Sequence, residues 1–125
     1  SFIDTETSIP AAGQGVMAVE ARSDDKETLD LISFLHDSDV ASCISAERAF
    51  LAKVGGDCKV PAGIYAVAKD GGIEAHAFIA STDGKRLYRS KRLAAVSEAV
   101  SVGKALAAEL LDAGGREVLE EMQKI

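Results

Sequence analysis

Two short turns constrain this chain more than any other feature. Asp70-Gly71-Gly72 and Asp83-Gly84 each interrupt a run in which apolar and other residues alternate. Such glycine turns supply the positive φ that tight hairpin loops require. Between them, residues 73–82 set Ile73, Ala75, Ala77 and Ile79 on one face and Glu74, His76 and Phe78 on the other, the period of a strand. Residues 60–69 before the first turn and 86–94 after the second complete three antiparallel strands. The third is basic on both faces through Arg86, Arg89, Lys91 and Arg92. That suits a sheet edge, where charge discourages pairing with other chains.

Helical periodicity flanks this sheet. Asp24 with Glu27 resembles a capping box, and Leu31, Ile32, Phe34 and Leu35 continue a helix to about Asp37. Ser38 is expected to cap a second helix over residues 38–54, with Asp39 in its first turn. The two helices read as an αα-hairpin with a very short connection. On the second, Val40, Cys43, Ile44, Glu47, Leu51 and Val54 share one stripe, apolar except for Glu47. Gly55 and Gly56 stop that helix, and Asp57 and Cys58 follow on a tight loop. Val60 precedes Pro61 and is therefore extended. After the sheet, Ser97 is expected to cap a last long helix with Val96, Val100, Gly103, Leu106, Ala107 and Leu110 facing inward. Gly114 and Gly115 interrupt it before a short helix over residues 116–123. At the other end, residues 1–10 form a polar lead-in, and Gly13-Gln14-Gly15 turns into a short strand over residues 16–21. The order ααβββα predicts an α+β fold, a three-stranded antiparallel sheet covered by helices.

Composition narrows the function classes. At 125 residues the chain suits one compact domain, and its sparse aromatics leave Ala, Val, Ile and Leu to build the core. A formal charge of −6 argues against a sequence-independent nucleic-acid binder. The apolar runs fall short of a membrane span. Cys43 and Cys58 form neither a Cys-x-x-Cys pair nor a zinc pattern, so no metal is expected and a reduced, cytoplasmic protein is the default.

Cys58 has two readings. One is a small, inert loop residue. The other is an accessible thiol whose thiolate is favoured by glycine-turn amides, Lys53, Lys59 and Arg48, and opposed by Asp57. Arg48 is either a solvated arginine paired with Glu47 or Glu27, or a carboxylate-binding fork. His36 and His76 lie on different elements and are expected at the surface or rim. A Cys58–His76 dyad is not fixed by any spacing. The carboxylates read as scattered along helix faces, none in the apolar setting that raises a pKa.

Glu47-Arg48, an apolar helix end, and Gly55-Gly56-Asp57-Cys58-Lys59-Val60-Pro61 together resemble the cofactor-attachment signature of porphobilinogen deaminase (hydroxymethylbilane synthase). Pro10-Ala11-Ala12-Gly13-Gln14-Gly15, with the apolar residues after it, is similar to that family's Pro-x-x-Gly-Gln-Gly segment. Asp57 stands where the family has a small residue, and Ala62 where it has a larger aliphatic. Family members have three domains, and this chain resembles only the C-terminal part. Its start at Ser1, in mid-pattern, is what a piece of a longer protein would show.

The resemblance implies residues 1–37 as a segment from preceding domains and 38–125 as a C-terminal domain carrying a cofactor. It implies a dipyrromethane joined to Cys58 by a thioether that persists through turnover. Arg48, Gly56, Gln14 and Gly15 would border that group. The implied reaction joins four porphobilinogen units, each losing ammonia, in tetrapyrrole (haem) synthesis. The partners would be porphobilinogen, the growing linear pyrrole chain and the N-terminal domains, which hold the catalytic acid, so this chain alone would be inactive. The whole protein would be a monomer, and the isolated chain would self-associate through its unpaired strand over residues 16–21. Two alternatives stay open: a non-catalytic small-molecule carrier or regulatory α+β domain, and a thiol enzyme using Cys58 with a histidine.

Overall fold

The structure is a computed structural model that describes residues 1–55 and 61–124. Three strands form one antiparallel sheet in the order β1-β2-β3: β1 Ala62–Lys69, β2 Gly72–Ala80 and β3 Leu87–Ala95. Ile64 faces Ala77 and Ala66 faces Ala75 across β1 and β2, while Ile79 faces Tyr88 across β2 and β3. The apolar set expected on the central strand is the buried one: Ile73, Ala75, Ala77 and Ile79. β3 is an edge, as its charges foretold.

Among the described residues four α-helices accompany the sheet: α1 Lys26–Ile32, α2 Ser38–Val54, α3 Ala99–Leu110 and α4 Arg116–Gln123. α2 and α3 pack on each other and on one sheet face, giving the expected α+β layer. They cross at Gly103, where a Cβ would overlap the carbonyl oxygen of Ala46 and press on the Ala49 methyl. Only glycine allows helices to approach that closely. A kink at Gly114 separates α3 from α4, whose Val118 closes the far end of the core. Arg86 pairs with Glu121 and ties the start of the third strand to α4. No helix among the described residues is long and apolar enough to cross a membrane.

Several local expectations are corrected. The cap of α1 is Asp25, which accepts the Thr28 N–H at 3.1 Å, while Asp24 pairs with Arg22 instead. Asp37, not Ser38, caps α2 by accepting the amides of Asp39 and Val40. α1 has no buried residue, so no tightly packed αα-hairpin forms. The buried stripe of α2 is Cys43, Ala46, Glu47, Phe50 and Val54, with Val40 exposed and Leu51 half-buried. Its end at Gly55, with φ +109°, is as expected; Gly56 lies outside the described residues. Ser97 sits in a 3-10 turn and caps nothing; Val96 packs half-buried against the core as expected, while Val100 is exposed and Ala99 and Val102 are buried instead. Residues 16–21 form no strand and pair with no strand among the described residues.

The sheet face opposite the helices is crossed by the N-terminal segment. Arg89 donates to the Glu6 carbonyl, and Pro10 lies against Gly63 beside the Phe78 ring.

Candidate functional site

α2 and the outer edge of β1 leave a groove of about 440 Å³ between them. Gln14, Gly15 and Val16 form one lip; Asp37, Asp39 and Val40 form another; Cys43, Glu47, Tyr65 and Val67 line the interior. The N-terminal turn is held there by one side chain. Glu47 is only 4% exposed, and its two carboxylate oxygens serve different segments. Oε2 accepts the Gly13 N–H at 2.6 Å and Oε1 accepts the Ala66 N–H at 2.9 Å. Ala66 lies on the edge strand β1, so the carboxylate occupies a position where a fourth strand would otherwise pair. Two donors into one ionised carboxylate satisfy a charge that would be unstable if merely buried.

The same turn orients Gln14. Its Oε1 accepts the Ala11 N–H at 3.1 Å, and the Gln14 N–H returns a bond to the Ala11 carbonyl. The side-chain acceptor is therefore used internally, and the exposed end of Gln14 is its NH2, a donor. Gly15 shares the groove with it. Arg48 is exposed on α2 and makes no ion pair among the described residues, so neither Glu47 nor Glu27 holds it. Gly56, Asp57 and Cys58 lie outside the described residues. Val54, the last residue of α2, is about 10 Å along the helix axis from Glu47 at the usual rise.

Cys43, the other thiol, is buried in the core. Burial pushes its pKa up, and the charges of Glu47, Asp39 and Asp37 push it further the same way. It is held as a protonated, unreactive thiol.

A second polar constellation lies on the opposite sheet face. Glu74, 5% exposed, accepts from Lys69 Nζ at 3.0 Å and from His76 Nε2 at 2.8 Å, with Lys91 Nζ at 4.0 Å. The His76 hydrogen bond, then that from Lys69, holds its carboxyl down at about 2. The ionised carboxylate can only accept, so His76 carries its proton on Nε2. The Glu6 carboxylate approaches Glu74 and His76 to within 4.8 Å. Lys69 and Lys91 already supply positive charge there, which makes this an ion-pair knot and a poor place for a metal cation. His76 is thus bound to Glu74 rather than lying free at a rim. Glu47 and Glu74 are buried rather than spread along exposed faces, but neither stands in an isolated apolar setting, because at each one donors replace water.

Residues 41–112, from α2 through α3, match the family profile described as "Porphobilinogen deaminase, C-terminal domain". The chain belongs to the porphobilinogen deaminase family. Curated relatives bearing that name match almost the whole chain. One from Syntrophobacter fumaroxidans is 38% identical over 124 residues, 99% of this chain and 40% of the relative. One from Staphylococcus epidermidis is 39% identical over 125 residues, again 99% of this chain and 40% of the relative. One from Roseiflexus castenholzii is 43% identical over 118 residues, 94% of this chain and 39% of the relative. The chain therefore spans about 40% of the length of the porphobilinogen deaminases it matches. The family's C-terminal domain maps onto the α2–sheet–α3 layer that carries Glu47 and one wall of the groove, while Gln14, Gly15 and Val16 lie outside the matched residues.

Proposed function

We propose that this chain is the cofactor-carrying part of a porphobilinogen deaminase, a cytoplasmic transferase of tetrapyrrole synthesis. The observation that carries this reading is the family match over residues 41–112, a span that includes Cys58. The donor chemistry fits a dipyrromethane with acetate and propionate side chains. Arg48 offers an exposed guanidinium with no ion-pair partner among the described residues, suited to bidentate carboxylate binding. Gln14 offers an amide N–H at the groove lip. Cys58 is the thiol that anchors the group, because Cys43 is buried and protonated. Asp37 and Asp39 make the α2 lip acidic, so pyrrole carboxylates are excluded from the groove interior and meet Gln14 and Gly15 at its rim.

When bound, the dipyrromethane supplies the pyrrole to which porphobilinogen units are joined, each forming a carbon–carbon bond and losing ammonia. This chain's residues hold that group and pair with its acids. The acid that protonates the leaving amine belongs to the remaining domains, and the chain alone does not turn over.

The test is Cys58→Ser in the full-length protein. Loss both of deaminase activity and of the acid aldehyde colour given by a pyrrole with a free α-carbon is the expected result. Retention of both by the variant overturns the anchor role. A wild-type protein that shows neither favours a non-catalytic carrier domain.

A further inference from the structure

We propose that Glu47 is a positioning residue: by clamping Gly13 to the edge of β1 it sets the Gln14 amide toward the carboxylates of the pyrrole substrate. This rests on the function proposed above.

Glu47 is the only charged residue on the buried stripe of α2. Its surroundings do not require an acid for packing alone, since the neighbouring buried positions are Cys43, Ala46 and Phe50. What requires it is the number of donors. The Gly13 and Ala66 amides come from segments far apart in sequence and converge on one side chain at 2.6 and 2.9 Å. An ionised carboxylate accepts both. A glutamine has one acceptor oxygen and would aim its NH2 at the other amide, donor against donor.

The two bonds have separable consequences. The Ala66 bond satisfies a backbone group on a sheet edge, which is a matter of stability. The Gly13 bond fixes a turn whose other attachment to the layer, among the described residues, is the half-buried Ala12 methyl packed against the core. Gly13 and Gln14 are adjacent, and Gln14 has its own oxygen tied back to Ala11. Release of Gly13 leaves the 11–14 turn held only by the Ala12 contact, so the turn loosens with the Gln14 donor on it. Substrate affinity is the quantity that responds. Chemistry at the leaving amine and loading of Cys58 depend on other groups.

The experiment uses Glu47→Gln in the full-length deaminase carrying this sequence. Hydrogen exchange is followed by mass spectrometry over residues 9–16 and 62–69, beside steady-state kinetics and dipyrromethane content. The expected result is faster exchange over residues 9–16 and a KM for porphobilinogen raised about tenfold, with kcat and cofactor content within about twofold, as expected when one charged hydrogen bond used in binding is lost. Unchanged exchange over residues 9–16, or an unchanged KM with that protection lost, overturns the proposal. If Glu47→Gln fails to fold, replacing the Gly13 amide by an ester removes only the one donor and leaves the Ala66 bond. The same rise in KM then supports the clamp, and an unchanged KM overturns it. A wild-type protein that turns over no porphobilinogen sinks the underlying reading and this role with it, and shows as lost activity in every sample rather than in the variant.

Discussion

Glu74 keeps its charge in a nearly buried position because His76 and Lys69 hydrogen-bond it and Lys91 stands close by. Its carboxyl is held at about 2, below the ordinary 4.5. Asp25, Asp83, Glu109 and Glu121 are shifted the same way by hydrogen bonds from Thr28, Ser81, Ser90 and Arg86 respectively. A carboxylate whose pKa is lower in the folded state binds fewer protons folded than unfolded. Its contribution is present above the unfolded pKa and lost as pH falls toward the folded one. Stability is therefore expected to decline from about pH 5 downward, with the Glu74 share lost between about 4.5 and about 2. Urea midpoints measured across that range check this. Glu74→Gln should lower the midpoint at pH 7 and flatten the acid slope; an unaltered slope would contradict the assignment. Neither Glu74 nor Glu47 had shown in the sequence as a buried carboxylate with partners. The signal for Glu47 was one charge on an apolar stripe. For Glu74 it was a glutamate and a histidine two apart on a strand, flanked by lysines that only the register brings near.

Sheet strands, their turns and the extent of α2 were legible, because alternation, Asp-Gly turns and the glycine at Gly55 are local signals. Which face of a helix is buried was less so. α2 is apolar on more than one side, and both Ile44–Leu51 and Ala46–Phe50 give plausible stripes. The choice is made by α3, whose Gly103 admits Ala46 and leaves Phe50 fully enclosed. The strand expected over residues 16–21 had the right composition, but a strand needs a partner and none is present among the described residues. Gly103→Ala tests the α2–α3 crossing. Alanine gains up to about 1 kcal/mol in helix propensity. The new methyl meets backbone rather than a movable side chain, and overpacking of this kind costs about 1–3 kcal/mol. A net loss, seen as a thermal midpoint lower by several degrees, is expected. A rise in the midpoint would show that the helices do not cross there.

In the molecule as a whole, the helix–sheet layer holds the core and the groove lies between α2 and β1. The core lies between Cys43 and Val118, and the N-terminal turn is joined to it through Glu47 at the groove. The stretch over residues 55–61 stands out in the sequence because glycines, a thiol and a Val-Pro pair are rare together, yet the role proposed for Cys58 rests on family resemblance, since a thiol by itself is chemically unspecific. Gln14 read as a turn residue on its own pattern and as a cofactor-bordering one through the resemblance; its donor end emerges from the hydrogen bond to Ala11. The central claim, that Cys58 anchors a dipyrromethane, is tested most directly by the intact mass of the active full-length protein, followed by peptide mapping of both cysteines. The account predicts an added mass of two linked pyrrole units on the peptide bearing Cys58 and an unmodified Cys43. Active protein with an unmodified Cys58, or with the addition on Cys43, would contradict it.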